Sequence, residues 1–223
     1  MEVLSDIPLK FGLKKILKHF KVNTNTQARK IIKELMGLST NLISPKAAYK
    51  VAYVENKTNA TVKVGKVQFK SKILRENLNE LERVFPYIIT IGEKLENKAA
   101  SMKDLLKQYY LEEMGDLALH SISEYLEKYL KKKYKLGQIS KMSPGSLKDW
   151  PITQQDELFS LFGNTQKIIG VSLTDSFLMI PRKSISGIYF PTEIKFYSCQ
   201  LCPRKRCIGR KAPYDLKLAK NYR

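Results

Sequence analysis

Residues 168–199 read IIGVSLTDSFLMIPRKSISGIYFPTEIKFYSC. Four short runs, IIGVSL, SFLMI, SISGIYF and IKFYSC, are rich in β-branched and aromatic residues and are separated by turn formers, a pattern that reads as strands. The same texture occurs upstream in residues 48–91. There AYKVAYVE alternates, NKTNA is a turn, TVKVGKVQF is a hairpin bending at Gly65, and FPYIITIG is a buried strand ending at a glycine. Strands therefore come in two blocks.

The rest of the chain has helical spacing. Phe11, Leu13, Ile16, Leu17 and Phe20 fall on one face, and Asn25 is the expected cap of a second helix carrying Ala28, Ile31, Ile32, Leu35 and Met36. Residues 77–83 read as helical. A long helical region follows from 93 to 133, with a possible break at Met114-Gly115-Asp116. Its core-facing stripe holds Leu117, Leu119, Ile122, Tyr125, Leu126 and Tyr129, with His120 inside it as a structural histidine. Residues 137–151 form a Gly- and Pro-rich loop containing the only tryptophan, Trp150, and a short amphipathic helix is expected over 153–162. Helices and antiparallel-looking strands in blocks, rather than in strict alternation, predict an α+β class: a bent antiparallel sheet with helices packed around it. We expect a single domain over 1–198 and a basic, cysteine-containing, largely irregular tail over 199–223.

At 223 residues with 43% apolar side chains, the chain can bury a full core. No apolar run reaches the ~18 residues of a membrane span, and the opening MEVLSDIPLKFG has no secretory apolar region, so a cytoplasmic location is expected. Forty Lys and Arg against 21 Asp and Glu leave a net charge of +19. That excess predicts a polyanionic or acidic partner, although a lysine-rich composition also arises from genomic background usage.

Familiar catalytic signatures are missing. There is no GxGxxG, P-loop, HExxH or GxSxG, and His19 and His120 are the only histidines. The three cysteines cluster as Cys199-x2-Cys202-x4-Cys207 among Arg204, Lys205, Arg206, Arg210 and Lys211. Cys-x2-Cys lets two thiolates reach one metal, and the third makes three ligands, suiting a 4Fe–4S cluster with an open iron or a Zn with an outside fourth ligand. Reduced thiols on a basic tail are the alternative.

The loop KMSPGSLKDWP (141–151) together with Leu173-Thr174-Asp175-Ser176, Met179, Pro181, Ser184-Ile185-Ser186-Gly187 and Tyr189-Phe190 resembles the activation domain of cobalamin-dependent methionine synthase, in its stand-alone form. The resemblance is strongest over 139–198. It implies a domain that binds S-adenosylmethionine and supports reductive methylation of a corrinoid on a partner protein, with flavodoxin or ferredoxin as electron donor. The family's Arg-x-x-x-Gly-Tyr motif aligns here with Lys141, Gly145 and Ser146. Lys141 keeps the positive charge for the ligand's carboxylate but not the guanidinium fork, and Ser146 supplies no ring. Trp150 is the expected substitute ring, and Phe196 or Tyr197 takes the place of a second family tyrosine.

The residues themselves allow a plainer reading of the same loop. A Pro-Gly turn exposes backbone groups, a cation meets a carboxylate and an aromatic packs on a sulfonium or purine; or the loop is a tight structural turn with its tryptophan in the core. Two other functions compete with the family reading. One is a basic nucleic-acid-binding module with a cysteine knuckle, though no recognition-helix or RNP-like pattern accompanies it. The other is an Fe–S electron donor to a corrinoid protein. The family reading implies an acidic corrinoid partner, no specific nucleic acid and no membrane.

Overall fold

The computed structural model describes residues 1–9, 12–22, 26–207 and 209–222. Phe11 and the expected cap Asn25 lie outside them.

The centre of the molecule is the run RVFPYIIT, strand β6 (Arg83–Thr90), whose last seven residues are all buried. A continuous apolar strand rather than an alternating one is required when both faces are covered. On one edge β6 pairs antiparallel with β10 (Ser184–Pro191), from Ser184 opposite Thr90 to Tyr189 opposite Phe85. Strand β10 in turn pairs with β7 (Ile139–Met142), placing Tyr189 opposite Lys141. The other edge of β6 is shared. Strand β2 (Lys46–Tyr49) covers its C-terminal half and β3 (Ala52–Lys57) its N-terminal end. That split edge turns the chain: β1 (Glu2–Leu4) adds outside β2, while β4 (Thr61–Val64) and β5 (Val67–Lys70) extend from β3. Gly65 sits at the β4–β5 bend with φ +56°, as the sequence predicts. All eight strands of this sheet pair antiparallel, and the class is mixed helix and antiparallel sheet, as expected.

Each face carries its own core. Helices α1 (Leu13–His19), α2 (Gln27–Leu42), α4 (Lys94–Ala100) and α5 (Leu105–Lys133) cover one side, around Ile32, Leu111, Met114 and Ile122. On the other side the core gathers Phe69, Leu74, Trp150, Leu158, Phe162 and Ile188 beneath α3 (Lys72–Asn77), α6 (Gln155–Ser160) and α7 (Thr165–Ile169).

Several expectations shift. Helix α5 runs unbroken through Gly115, where a Cβ would stand 3.0 Å from Leu95 and 3.3 Å from Ile91. That glycine lets α4 and α5 approach; the interruption falls at 101–104, where Asp104 caps α5 by accepting the N–H groups of Leu106 and Lys107. The helix expected over 77–83 lies earlier, as α3, because Ser71 caps it and the Asp149 carboxylate accepts from Ile73 N–H (2.9 Å) and Lys72 N–H (3.2 Å). Within IIGVSL the first residues are helical (α7), leaving β8 (Ser172–Leu173), and SFLMI keeps only β9 (Met179–Ile180). IKFYSC forms no strand; a 3₁₀ turn spans Ser198–Leu201 instead. The tail is mostly irregular but ends in α8 (Leu216–Asn221), and Leu218 and Tyr222 pack against the second core.

Candidate functional site

Helix α5 sets one wall. His120, Ser123, Glu124 and Glu127 fall at i, i+3, i+4 and i+7, so they share a face and form a polar stripe. Strand β7 sets the floor. Its buried Ser140 accepts the Phe196 N–H at 2.7 Å, and Met142 packs into the second core. Lys141, between them in sequence, points to the opposite face, toward α5. The segment after β10 sets the far wall with Lys195, Phe196, Tyr197, Ser198 and Cys199. Together they enclose a cavity of about 530 Å³.

Lys141 is held far from ordinary solution behaviour. Its ammonium donates to Ser123 Oγ and lies 3.4 Å from Tyr189 Oη. It also sits 5.3 Å from the Tyr189 ring centre and 6.0 Å from that of Tyr87, so two aromatic faces partly replace its lost water. Those rings are themselves fixed 4.4 Å apart in the core. Burial, and then the Lys211 charge, bring the Lys141 ammonium down from 10.5 to about 8; Glu127 and Glu124 oppose the fall and Lys195 adds to it. Burial likewise lowers His120, assisted by Lys211 and Lys141. Lys195 is engaged with Glu127 at 2.6 Å and stands 5.8 Å from the Tyr197 ring centre.

The 143–146 stretch is a tight turn. Ser146 N–H donates to the Ser143 carbonyl at 3.1 Å across Pro144 and Gly145, with Gly145 at φ +78°, the arrangement of a type II turn. Gly145 N–H donates to the Trp150 carbonyl at 2.7 Å. Both amides are therefore spent inside the loop rather than exposed to a ligand, contrary to the expectation for a Pro-Gly turn. Ser146 stands between two cavities. It lines the one above and also, with Gly145, a neighbouring one of about 770 Å³ bounded by Leu147, Leu201, Cys202, Tyr214 and Tyr222. Its hydroxyl lies 3.3 Å from that of Ser198.

Of the residues singled out from sequence, Lys141, Ser146, Phe196 and Tyr197 line the same cavity, and Gly145 lines its neighbour. Trp150 lines neither. It is fully buried, edge-on to Phe69 at 5.7 Å, in the second core, so it does not supply a ring to a ligand. The tight structural turn with its tryptophan inside is the correct account of that side chain. The α5 stripe was missed. Its available signal was the run of His, Ser, Glu and Glu at helical spacing, and His120 is exposed rather than in the core.

The cysteines do not form the expected Fe–S or Zn site. Among the described residues no group of three or more His, Cys, Asp and Glu side chains lies close enough to hold a metal. The 3₁₀ turn sends Cys199 to one cavity and Cys202 to the other, and Cys207 is exposed. The Arg210 guanidinium lies against the backbone of this loop. It donates to the carbonyls of Cys199 (3.0 Å), Ala212 (3.1 Å), Cys202 (3.2 Å) and Arg204. A fixed cation at that place opposes a second one. Among the described residues, no helix is long and apolar enough to cross a membrane.

Comparison with known proteins agrees with this architecture. Residues 127–207 match the family described as vitamin B12 dependent methionine synthase, activation domain. No curated protein matches the chain. Among solved structures, a crystal structure of the MetH reactivation domain bound to AdoHcy superposes with a TM-score of 0.57 at 14% identity, covering 88% of this chain and 80% of that one. The matched segment begins at Glu127 on the α5 stripe and contains β7, the 143–146 turn, β10 and the far wall of the cavity. In sequence over residues 127–207, and in fold over nearly all of its length, the chain resembles the activation domain of vitamin B12-dependent methionine synthase.

Proposed function

We propose that the chain binds S-adenosylmethionine in the cavity between α5, β7 and residues 195–199, and presents the methyl group to the corrinoid of an acidic partner protein. The observation that carries this reading is the convergence of Lys141, Ser146, Phe196 and Tyr197 on one cavity within the segment that matches the family.

The chemistry of the lining suits such a ligand. An ammonium has three donors. Ser123 and Tyr189 occupy two of those of Lys141, leaving one for a carboxylate oxygen. Glu124 offers a counter-charge to an α-amino group, and the Tyr197 ring offers a face to a sulfonium or a purine. A corrinoid on the partner, reduced with an electron from flavodoxin or ferredoxin, would accept the methyl group as the carbon–sulfur bond breaks with its electron pair going to sulfur, which would leave S-adenosylhomocysteine in the cavity. The chain's own part is to hold the donor with its methyl exposed.

Basic side chains stand beside the two cavities, Lys148 and Arg204 at one, Lys195 and Lys211 at the other. With the net charge of +19, they support docking of an acidic protein, which should weaken with salt. Calorimetric titration of the full chain with S-adenosylhomocysteine tests the ligand. Saturable one-to-one binding is expected, and no heat at millimolar ligand would refute the reading.

A further inference from the structure

We propose that Lys211, carried by the C-terminal tail beyond the family-matched segment, is a binding residue of this cavity, a second cation for the carboxylate of an S-adenosyl amino acid. The inference rests on the ligand reading above and extends it to a part of the chain beyond the match, which ends at Cys207.

Two observations place the tail there. First, Gly209 and Lys211 line the cavity along with Lys141, Tyr197 and Cys199. Second, the tail is fastened. Arg210 donates to four backbone carbonyls, two of them those of Cys199 and Cys202, and Lys211 N–H reaches Cys199 Sγ at 3.4 Å. The next residues are held as well, since Asp215 N–H donates to the Gln200 carbonyl at 2.8 Å. A guanidinium fork used in this way orders a loop that has little apolar surface of its own.

The cavity's cations are not equivalent. Lys195 is already paired with Glu127, and Lys141 is largely committed to Ser123 and the tyrosine rings. The Lys211 ammonium makes no ion pair among the described residues, yet its field reaches both Lys141 and His120 and lowers each. Glu124 and Glu127 are the acidic groups facing it across the cavity. Two ammonium groups converging from β7 and the tail, with one of them unpaired, make a place for an anion. A carboxylate there relieves the mutual repulsion of the two ammonium groups.

Full-length wild type, Lys211→Gln and Lys211→Arg should be titrated with S-adenosylhomocysteine and with 5′-methylthioadenosine, which has the nucleoside and sulfur but no amino-acid end. Lys211→Gln should weaken S-adenosylhomocysteine about tenfold and leave methylthioadenosine unchanged, while Lys211→Arg should stay close to wild type. Unchanged S-adenosylhomocysteine affinity in Lys211→Gln, with wild type binding normally, would overturn the role of Lys211 alone. Equal loss of both ligands would overturn it too, because it would report a displaced tail. Wild type that binds neither ligand would sink the ligand reading and this inference together.

Discussion

Replacing Lys141 with methionine should make the free protein more stable and the ligand complex weaker. Methionine keeps most of the stem that packs beside Tyr87 and Tyr189 and removes the ammonium. In the folded chain that ammonium stands at about 8 against an ordinary 10.5, chiefly because it is buried. A separation of that size corresponds to about 3 kcal/mol of disfavoured charge. Losing the bond to Ser123 returns about 1 kcal/mol, so a net gain of ~1–2 kcal/mol is expected at pH 7, a few degrees in Tm for a chain of this size. The direction with pH is fixed by the same numbers. Between pH 8 and 10.5 the unfolded lysine holds a proton that the folded one has lost, so wild-type stability rises through that window and the methionine variant gains nothing there. The advantage of Lys141→Met should therefore be full below pH 8 and fade by about pH 10.5. Its affinity for S-adenosylhomocysteine should fall ~10-fold or more, and wild-type affinity should decline above pH 8 as the cation is lost. Urea unfolding at pH 7 and pH 10, with calorimetry at the same values, checks all three. A variant less stable than wild type at pH 7, or an advantage independent of pH, would refute the account of Lys141 as a desolvated cation.

Three other substitutions probe the frame around it. A Cβ at Gly187 would run into the Met142 carbonyl and come within 2.7 Å of Ser143 Oγ and 3.1 Å of Tyr87 Oη. Gly187→Ala should cost about 2–3 kcal/mol in urea unfolding and shift β7, with it weakening the ligand, and a neutral outcome would contradict the close β7–β10 approach. Trp150→Phe should lower stability by ~1–2 kcal/mol and leave S-adenosylhomocysteine affinity within twofold, since the ring lies in the core and its Nε1 has no partner among the described residues; a large affinity loss would return Trp150 to the site. Glu2, bonded by Lys133, Tyr129 and Tyr49, has its carboxyl drawn from 4.5 to about 2. Glu2→Gln should cost about 0.5–1 kcal/mol after solvent screening, an effect present above pH 4.5 and lost as pH falls through 2; a cost that persists at pH 2 would show that the charge is not its source.

What the sequence disclosed of the fold follows from how locally each signal is written. β6 was readable because burial on both faces forces a continuous apolar run, and the β4–β5 bend because a positive φ at Gly65 calls for glycine. Errors arose where a distant group decides. Residues 72–77 are helical in part because Asp149, over seventy residues away, accepts the amide hydrogens at their N-terminus. Gly115 looks like a breaker until Leu95 and Ile91 are seen against its Cα. IKFYSC has strand composition, but Ser140 takes the Phe196 N–H and Gln200 the Tyr197 N–H (2.8 Å), so those donors never reach a ladder.

The site divides along the same line. Lys141, Ser146, Phe196 and Tyr197 could be picked out because they lie on the segment that resembles a known family, and the cavity does bring them together. Trp150 was misread because an aromatic in a Pro-Gly loop looks available until Phe69 on β5 is found edge-on to it. The cysteines were misread for a related reason. Spacing says that two thiolates can meet, but not that Arg210, eight residues after Cys202, turns back and fills the loop with a guanidinium. That one side chain sets the course of the tail: its guanidinium holds the carbonyls of Cys199 and Cys202, and the peptide it belongs to carries the next residue, Lys211, to the wall of the cavity. In sequence, RCIGRK reads as a cluster of equivalent positive charges. In the fold, Arg210 serves the backbone while Lys211 lines the cavity, and that difference brings the tail to the cavity wall.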